Sequence, residues 1–126
     1  MSGRRTIIVV EDSEDGAATI KVALEAIPST DVVVLETAEA AMEALRATSV
    51  HALITDIHLP GIDGLELIRR LRMDSVNADL PIVVISADTD SRIPDLTRSA
   101  GANAFFAKPY SPAVVRRALE ELIDAH

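Results

Sequence analysis

Short apolar runs alternate along the chain with stretches in which apolar residues recur at helical spacing. The runs are rich in β-branched residues and lack polar alternation, which is typical of strands buried on both faces of a sheet. Taken alone, the last run would also fit a short helix. Together the runs predict five strands, at residues 6–10, 32–35, 52–55, 82–85 and 104–107.

Each predicted strand is followed by a stripe of apolar residues at the spacing of a helix face, which we interpret as a side facing the core. Asp63 is placed to cap the third helix, Gly101 to end the fourth, and Ser111 with Pro112 to start the fifth. Pro94 is predicted in the first turn of the fourth helix, because proline would break a helix interior. The five stripes are Ala17, Ile20, Leu24 and Ile27; Ala38, Ala41, Met42 and Leu45; Gly64, Leu67, Ile68 and Leu71; Ile93, Leu96 and Ala100; and Val115, Ala118, Leu119 and Leu122.

Strand and helix therefore alternate five times. Regular helical crossovers between strands predict an α/β fold, a five-stranded parallel sheet with helices on both faces. The chain has 126 residues, the size of one ordinary domain, so we expect a single domain over residues 1–126.

Charge and composition exclude several classes of protein. The net charge of −8 repels phosphate backbones, which argues against direct binding of nucleic acid. No cysteine is present, so disulfides and thiolate metal sites are excluded, and a reducing cytoplasm is the expected location. The apolar run near the N-terminus meets Glu11 and Asp12 too soon for a signal peptide or a membrane span.

Polar residues follow the predicted strands at the points where the strands end. Singly they fit ordinary turns or caps, and only their joint placement carries weight. The carboxyl ends of parallel strands meet at one edge of a sheet, where ligands gather. We therefore expect the residues to share one shallow pocket, here called the strand-end site. They are Glu11 and Asp12 after the first strand, Asp56 after the third, Ser86 after the fourth and Lys108 after the fifth.

Clustered carboxylates of this kind need a proton or a cation between them. Oxygen ligands without nearby histidine or cysteine ligands select Mg²⁺ or Mn²⁺ over zinc, and Mg²⁺ leaves positions open for water and a phosphate. An ionised aspartate can form an acyl phosphate, while a metal, an ammonium group and a hydroxyl can neutralise and orient the phosphoryl group. The chain carries neither GxxxxGK[ST] nor GxGxxG, so a nucleotide site has no motif support.

Four segments in this order, IIVVED, LITDIHLPGIDGLELIRRLR, PIVVISA and GANAFFAKPY, resemble the receiver domain of two-component response regulators over nearly the whole chain. The resemblance implies a flavodoxin-like fold with strand order 2-1-3-4-5. It also implies a role for each matching residue. On this resemblance, Asp56 would be the phosphoacceptor, and Lys108 would pair first with Asp56 and then with the phosphoryl group. The metal would be bound directly by Asp12, Asp56 and the backbone carbonyl of His58, and through water by Glu11. Ser86 and Phe105 would be the switch residues.

The same resemblance implies partners and an output. A sensor histidine kinase or a histidine phosphotransfer protein would donate the phosphoryl group. The surface of the fourth helix, fifth strand and fifth helix would change and address a downstream protein or effector domain. The domain would catalyse its own phosphorylation and dephosphorylation without being a conventional turnover enzyme. Free-standing and multidomain forms both fit, and a homodimer through the fourth and fifth helices is compatible with the resemblance.

Some positions depart from the commonest pattern of such receivers. Phe105 stands where tyrosine is frequent and offers no hydroxyl. The imidazole of His58 is expected near the phosphoryl group and the carboxylate of Asp88 at the rim of the pocket, and both would affect the lifetime of the phosphorylated state. His51 and His126 are interpreted as an ordinary strand-edge or loop residue and a terminal residue.

Two further hypotheses remain open at this point. One is an interaction module that keeps the fold but no longer turns over phosphate, against which the complete acidic set argues. The other is a Mg²⁺-dependent phosphatase with an aspartyl nucleophile, against which the lack of a DxD pair starting at Asp56 and of a cap domain argues.

Overall fold

The computed structural model describes residues 3–125 as five strands, five α-helices and one short 3-10 helix. Met1, Ser2 and His126 lie outside the described residues, so the interpretation of His126 stays a prediction. In chain order the elements are β1 (Arg5–Val10), α1 (Glu14–Glu25), β2 (Thr30–Leu35), α2 (Ala38–Ala47), β3 (Ala52–Asp56), α3 (Gly64–Met73), the 3-10 helix (Ser75–Asn77), β4 (Ile82–Ser86), α4 (Ile93–Ala100), β5 (Ala104–Ala107) and α5 (Pro112–Asp124).

The five strands form one parallel sheet in the order β2-β1-β3-β4-β5, which confirms the predicted alternation and strand order. The register aligns the carboxyl ends of the strands. Val10 pairs with Thr55, Asp56 pairs with Ile85, and Ser86 pairs with Ala107. The residues that follow β1, β3, β4 and β5 therefore emerge along one edge of the sheet.

The apolar residues of the sheet divide between two cores, one on each face. Ile8, Val10 and Leu53 pack into one core, whereas Ile7 and Val9 point into the other. The three central strands are buried on both sides. The expectation of full burial is wrong for the two edge strands β2 and β5, most of whose residues are half-buried or exposed, because each has a neighbour on only one side.

The residues predicted to bound α3, α4 and α5 occupy their expected positions. Asp63 accepts a hydrogen bond from the Glu66 amide at 2.8 Å at the start of α3, and Ser111 accepts one from the Val114 amide at the start of α5. Pro94 occupies the first turn of α4, and Gly101 ends that helix with φ at 120°. These caps fix the ends of the helices that flank the sheet edge.

Asp63→Ala should lower the free energy of unfolding by about 1 kcal/mol, because the Glu66 amide loses its acceptor. Urea denaturation followed by circular dichroism would measure the change. Asp63→Asn is the matched control, since asparagine caps a helix about as well as aspartate. Equal stabilities of the alanine and asparagine variants would contradict the assigned cap.

The side chain of Arg72 ties the end of α3 to the segment between α4 and β5. Its guanidinium donates to the Gly101 carbonyl at 2.9 Å, to the Asn77 carbonyl at 2.9 Å and to Asn103 Oδ1 at 3.1 Å. Burial lowers the pKa of Arg72 from its usual range. The C-terminal end of α4 is thus anchored, whereas Arg92, the residue just before the helix, provides no side-chain cap.

None of the helices within residues 3–125 is long and apolar enough to cross a membrane.

Candidate functional site

Asp56 is the last residue of β3, and both oxygens of its carboxylate are held. Oδ1 accepts from the backbone amides of Ile57 at 2.6 Å and His58 at 3.3 Å, and Oδ2 accepts from Lys108 Nζ at 2.6 Å. The side chain is 10% exposed, so it lies close under the surface rather than deep in the core. These contacts fix the orientation of the carboxylate at the edge of the sheet.

Lys108 bridges Asp56 to a second carboxylate. Its Nζ also donates to Glu11 Oε1 at 2.6 Å, and the Glu11 side chain is 1% exposed. Burial by itself would lower the pKa of Lys108, but the hydrogen bonds that its ammonium donates to both carboxylates, and the attraction of their charges, outweigh it and raise the pKa above its usual value. Lys108 is therefore a cation at neutral pH.

The carboxylates outnumber the ammonium groups at this edge. Glu11 and Asp56 are both nearly buried and share the one cation of Lys108. Asp12 is exposed, and its carboxylate makes no hydrogen bond or ion pair with any other described residue. If all three are ionised, the site carries an excess of negative charge, which favours uptake of a further cation.

Ser86 ends β4 and is fully buried. Its Oγ accepts from the backbone amide of Asp88 at 3.1 Å. The carboxylate of Asp88 in turn contacts the imidazole of His58, with 2.7 Å between Nε2 and Oδ2. The two residues that are expected to affect the lifetime of the phosphorylated state are thus directly paired.

Two cavities adjoin the strand-end site. Glu11 and Asp12 line a cavity of about 240 Å³ beside α1. Ser86, Phe105 and Lys108 line another of about 340 Å³ beside the segment between β4 and α4. The ion pairs of Lys108 with Glu11 and Asp56 bring residues beside the two cavities together at one edge of the sheet. Phe105 is half-buried and packs against the core that contains α3 and α4.

Within residues 3–125, no three side chains of His, Cys, Asp or Glu converge closely enough to hold a metal ion by themselves. Such a cluster is not what Mg²⁺ requires, because this ion uses one or two carboxylates together with carbonyls, water and phosphate oxygens. The oxygen donors of Asp12, Asp56 and the His58 carbonyl meet that description, so the residues present fit the ion.

Two glycines shape the site and were not predicted to do so. A Cβ on Gly16 in α1 would stand 2.8 Å from Glu11 Oε1, so the missing side chain makes room for that carboxylate. A Cβ on Gly64 would stand 2.9 Å from the Ile57 Cα and closer still to the Asp56 carbonyl oxygen. Glycine within a helix is unfavourable without a packing reason, and this is the signal that could have marked both positions.

The fold and the site together define a class of protein: a small parallel α/β domain with an acidic, lysine-containing site at its strand ends. Residues 7–120 match the family model of the response regulator receiver domain, and the chain belongs to that family. It is therefore a receiver of two-component signal transduction, a signalling switch whose family function is phosphoryl transfer to an aspartate.

Similar proteins cover almost the whole chain. It is 31% identical over 121 residues to the chemotaxis protein CheY1 of Helicobacter pylori, covering 95% of this chain and 98% of that protein. A sensor protein from Polaromonas sp. JS666 superposes with a TM-score of 0.85 at 30% identity, covering 97% and 98% of the two chains. The receiver domain of the sensor histidine kinase PA1611 from Pseudomonas aeruginosa superposes with a TM-score of 0.85 at 24% identity, covering 98% and 99%, and holds a magnesium ion in its active site cleft.

Proposed function

We propose that Asp56 is the phosphoacceptor of this receiver, and that a phosphohistidine of a sensor histidine kinase or histidine phosphotransfer protein supplies the phosphoryl group. The observation that carries the proposal is the held carboxylate of Asp56, 2.6 Å from Lys108 Nζ at the carboxyl edge of the sheet. Asp12, the most exposed of the three carboxylates at this edge, makes no contact with Lys108, and the Glu11 side chain is almost fully enclosed. Both are therefore weaker candidates for the acceptor than Asp56.

In the transfer, an Asp56 oxygen forms a bond to phosphorus as the phosphorus–nitrogen bond of the donor breaks. The electron pair of that bond leaves with the imidazole nitrogen, and the product on Asp56 is an acyl phosphate. The amides of Ile57 and His58 orient the acceptor. Lys108 begins on Asp56 and is placed to balance negative charge on the phosphoryl oxygens.

Mg²⁺, or Mn²⁺ in its place, would be held by the Asp12 and Asp56 carboxylates and the His58 carbonyl, with Glu11 acting through water. When bound, the ion would neutralise charge on the phosphoryl oxygens. The excess of carboxylates over ammonium groups supports this assignment, as does the oxygen-only donor set. Glu11 also serves as the second anchor of Lys108.

The output of phosphorylation is a shift between two surfaces. Ser86 would turn toward the phosphoryl group, and Phe105 would move inward with it, changing the surface of α4, β5 and α5. A downstream protein or effector domain in the cytoplasm would read that surface, and self-association through α4 and α5 is a second form of output. The domain contributes catalytic groups to its own phosphorylation and dephosphorylation and is not a conventional turnover enzyme.

Intact mass spectrometry of the protein with a small acyl phosphate tests this function. With Mg²⁺ we expect one phosphoryl adduct per protein, which digestion should place on the peptide that contains Asp56. With a chelator in place of Mg²⁺ we expect a far lower yield of adduct. Failure to form an adduct with several donors would favour an interaction module that no longer turns over phosphate. Turnover of a phosphomonoester would instead favour the phosphatase hypothesis.

A further inference from the structure

The His58–Asp88 contact joins two loops across the strand-end site. His58 lies two residues after Asp56, and Asp88 lies two residues after Ser86, so each partner follows a residue with a proposed role. The distance between Nε2 and Oδ2 is 2.7 Å, and the side chains are 66% and 25% exposed. Because an ionised carboxylate can only accept, the imidazole donates from Nε2.

Asp88 organises the segment that leaves β4. Its backbone amide donates to Ser86 Oγ at 3.1 Å, and its Oδ1 accepts from the Asp90 amide at 2.9 Å. Its remaining oxygen, Oδ2, takes the bond from His58. One residue therefore holds the proposed switch hydroxyl, the turn that follows it and the loop after the acceptor.

We propose that the His58–Asp88 contact is a latch that holds residues 86–90 in the conformation of the unphosphorylated receiver. The proposal rests on the function proposed above for Asp56 and Ser86. If Ser86 turns toward a phosphoryl group on Asp56, the Asp88 amide loses its acceptor, and residues 87 and 88 must move. The His58–Asp88 contact then opens, and the free energy needed to open it disfavours the phosphorylated conformation.

The latch makes a prediction that a plain surface ion pair does not. An exposed pair of this kind stabilises the folded protein little and has no preference between the two states. A latch favours the unphosphorylated state alone, so removing it tightens the binding of a phosphoryl mimic. The expected change is about two- to fivefold, or about 0.4–1 kcal/mol at 1.4 kcal/mol per factor of ten.

The experiment measures the dissociation constant of beryllium fluoride in the presence of Mg²⁺ for the wild-type protein and for His58→Ala. The variant keeps the backbone carbonyl assigned to the metal. Loss of an imidazole near an anion would weaken binding by electrostatics alone, so tighter binding identifies the latch. Asp88→Ala and the double variant complete the cycle, and we expect the double variant to bind no more tightly than Asp88→Ala.

Asp90→Asn is the matched control, because Asp90 lies in the same segment but pairs with Arg92 and makes no contact with His58. Asp90→Asn removes one negative charge, as Asp88→Ala does. Its effect on the dissociation constant therefore measures the electrostatic part of the effect of Asp88→Ala. Additive effects of His58→Ala and Asp88→Ala would overturn the latch.

Hydrogen exchange without ligand supplies the second readout. The amides of residues 87–90 should exchange faster in His58→Ala than in the wild-type protein. Unchanged affinity together with unchanged exchange would overturn the latch while leaving Asp56 as the acceptor. If neither protein binds beryllium fluoride, the proposed function fails instead, and unchanged exchange would then refute the holding role of His58 as well.

Discussion

Asp56→Asn is expected to abolish the phosphoryl adduct on this receiver. Asparagine keeps the shape of the side chain and can still accept the Ile57 amide through Oδ1, so the fold should persist. Its amide nitrogen is no nucleophile for phosphorus, and it cannot accept a hydrogen bond from Lys108 as Oδ2 does in the wild-type protein. Both the bond-forming atom and the contact that orients Lys108 are lost. Intact mass after incubation with Mg²⁺ and an acyl phosphate measures the result.

Asp31→Asn is the matched control for that variant. Asp31 lies in β2, is exposed and pairs with Arg4, away from the strand-end site. The Asp31→Asn variant loses one negative charge, as Asp56→Asn does, and its phosphoryl adduct should form as in the wild-type protein. An adduct of undiminished yield on Asp56→Asn would move the acceptor role to another carboxylate, with Glu11 and Asp12 the first to examine.

The sequence predicts the strands and the residues that end them, because a β-branched apolar run is a local signal. Helical crossovers between such runs then require the strands to be parallel. Asp56 and Lys108, 52 residues apart, meet because parallel strands must share their carboxyl edge. The 3-10 helix at Ser75–Asn77 was missed because three residues carry no periodicity. The exposure of β2 and β5 depends on strand order, which the apolar runs do not encode.

The partners of each side chain were harder to predict than their place along the edge. The sequence predicts the His58 imidazole near the phosphoryl group and Asp88 at the pocket rim, but their contact depends on how two loops approach each other. The hydrogen bond that Lys108 donates to Glu11 likewise depends on the room above Gly16, which only the packing of α1 reveals. Short-range signals therefore locate the site, and long-range packing determines its network of hydrogen bonds.

Gly64→Ala is expected to destabilise the fold by about 2–3 kcal/mol. Helix propensity alone would favour alanine by up to about 1 kcal/mol, so the sign depends on the contacts of the new Cβ. Those contacts are backbone atoms of Asp56 and Ile57, at 2.9 Å for the Ile57 Cα and 3.0 Å for the Asp56 carbonyl carbon. Backbone at the end of a central strand cannot rotate away, so either α3 or the end of β3 must shift.

Urea denaturation measures the loss of stability, and Ala113→Gly is the control. Ala113 is exposed in the first turn of α5, so its change isolates the difference in helix propensity, expected to be at most about 1 kcal/mol. Because Gly64 presses on the residue proposed as acceptor, the folded fraction of Gly64→Ala should also take up phosphoryl groups more slowly. Wild-type stability in Gly64→Ala would show that α3 does not pack against Asp56 this closely. Reduced stability with wild-type phosphorylation would show that α3 moves and the acceptor stays in place.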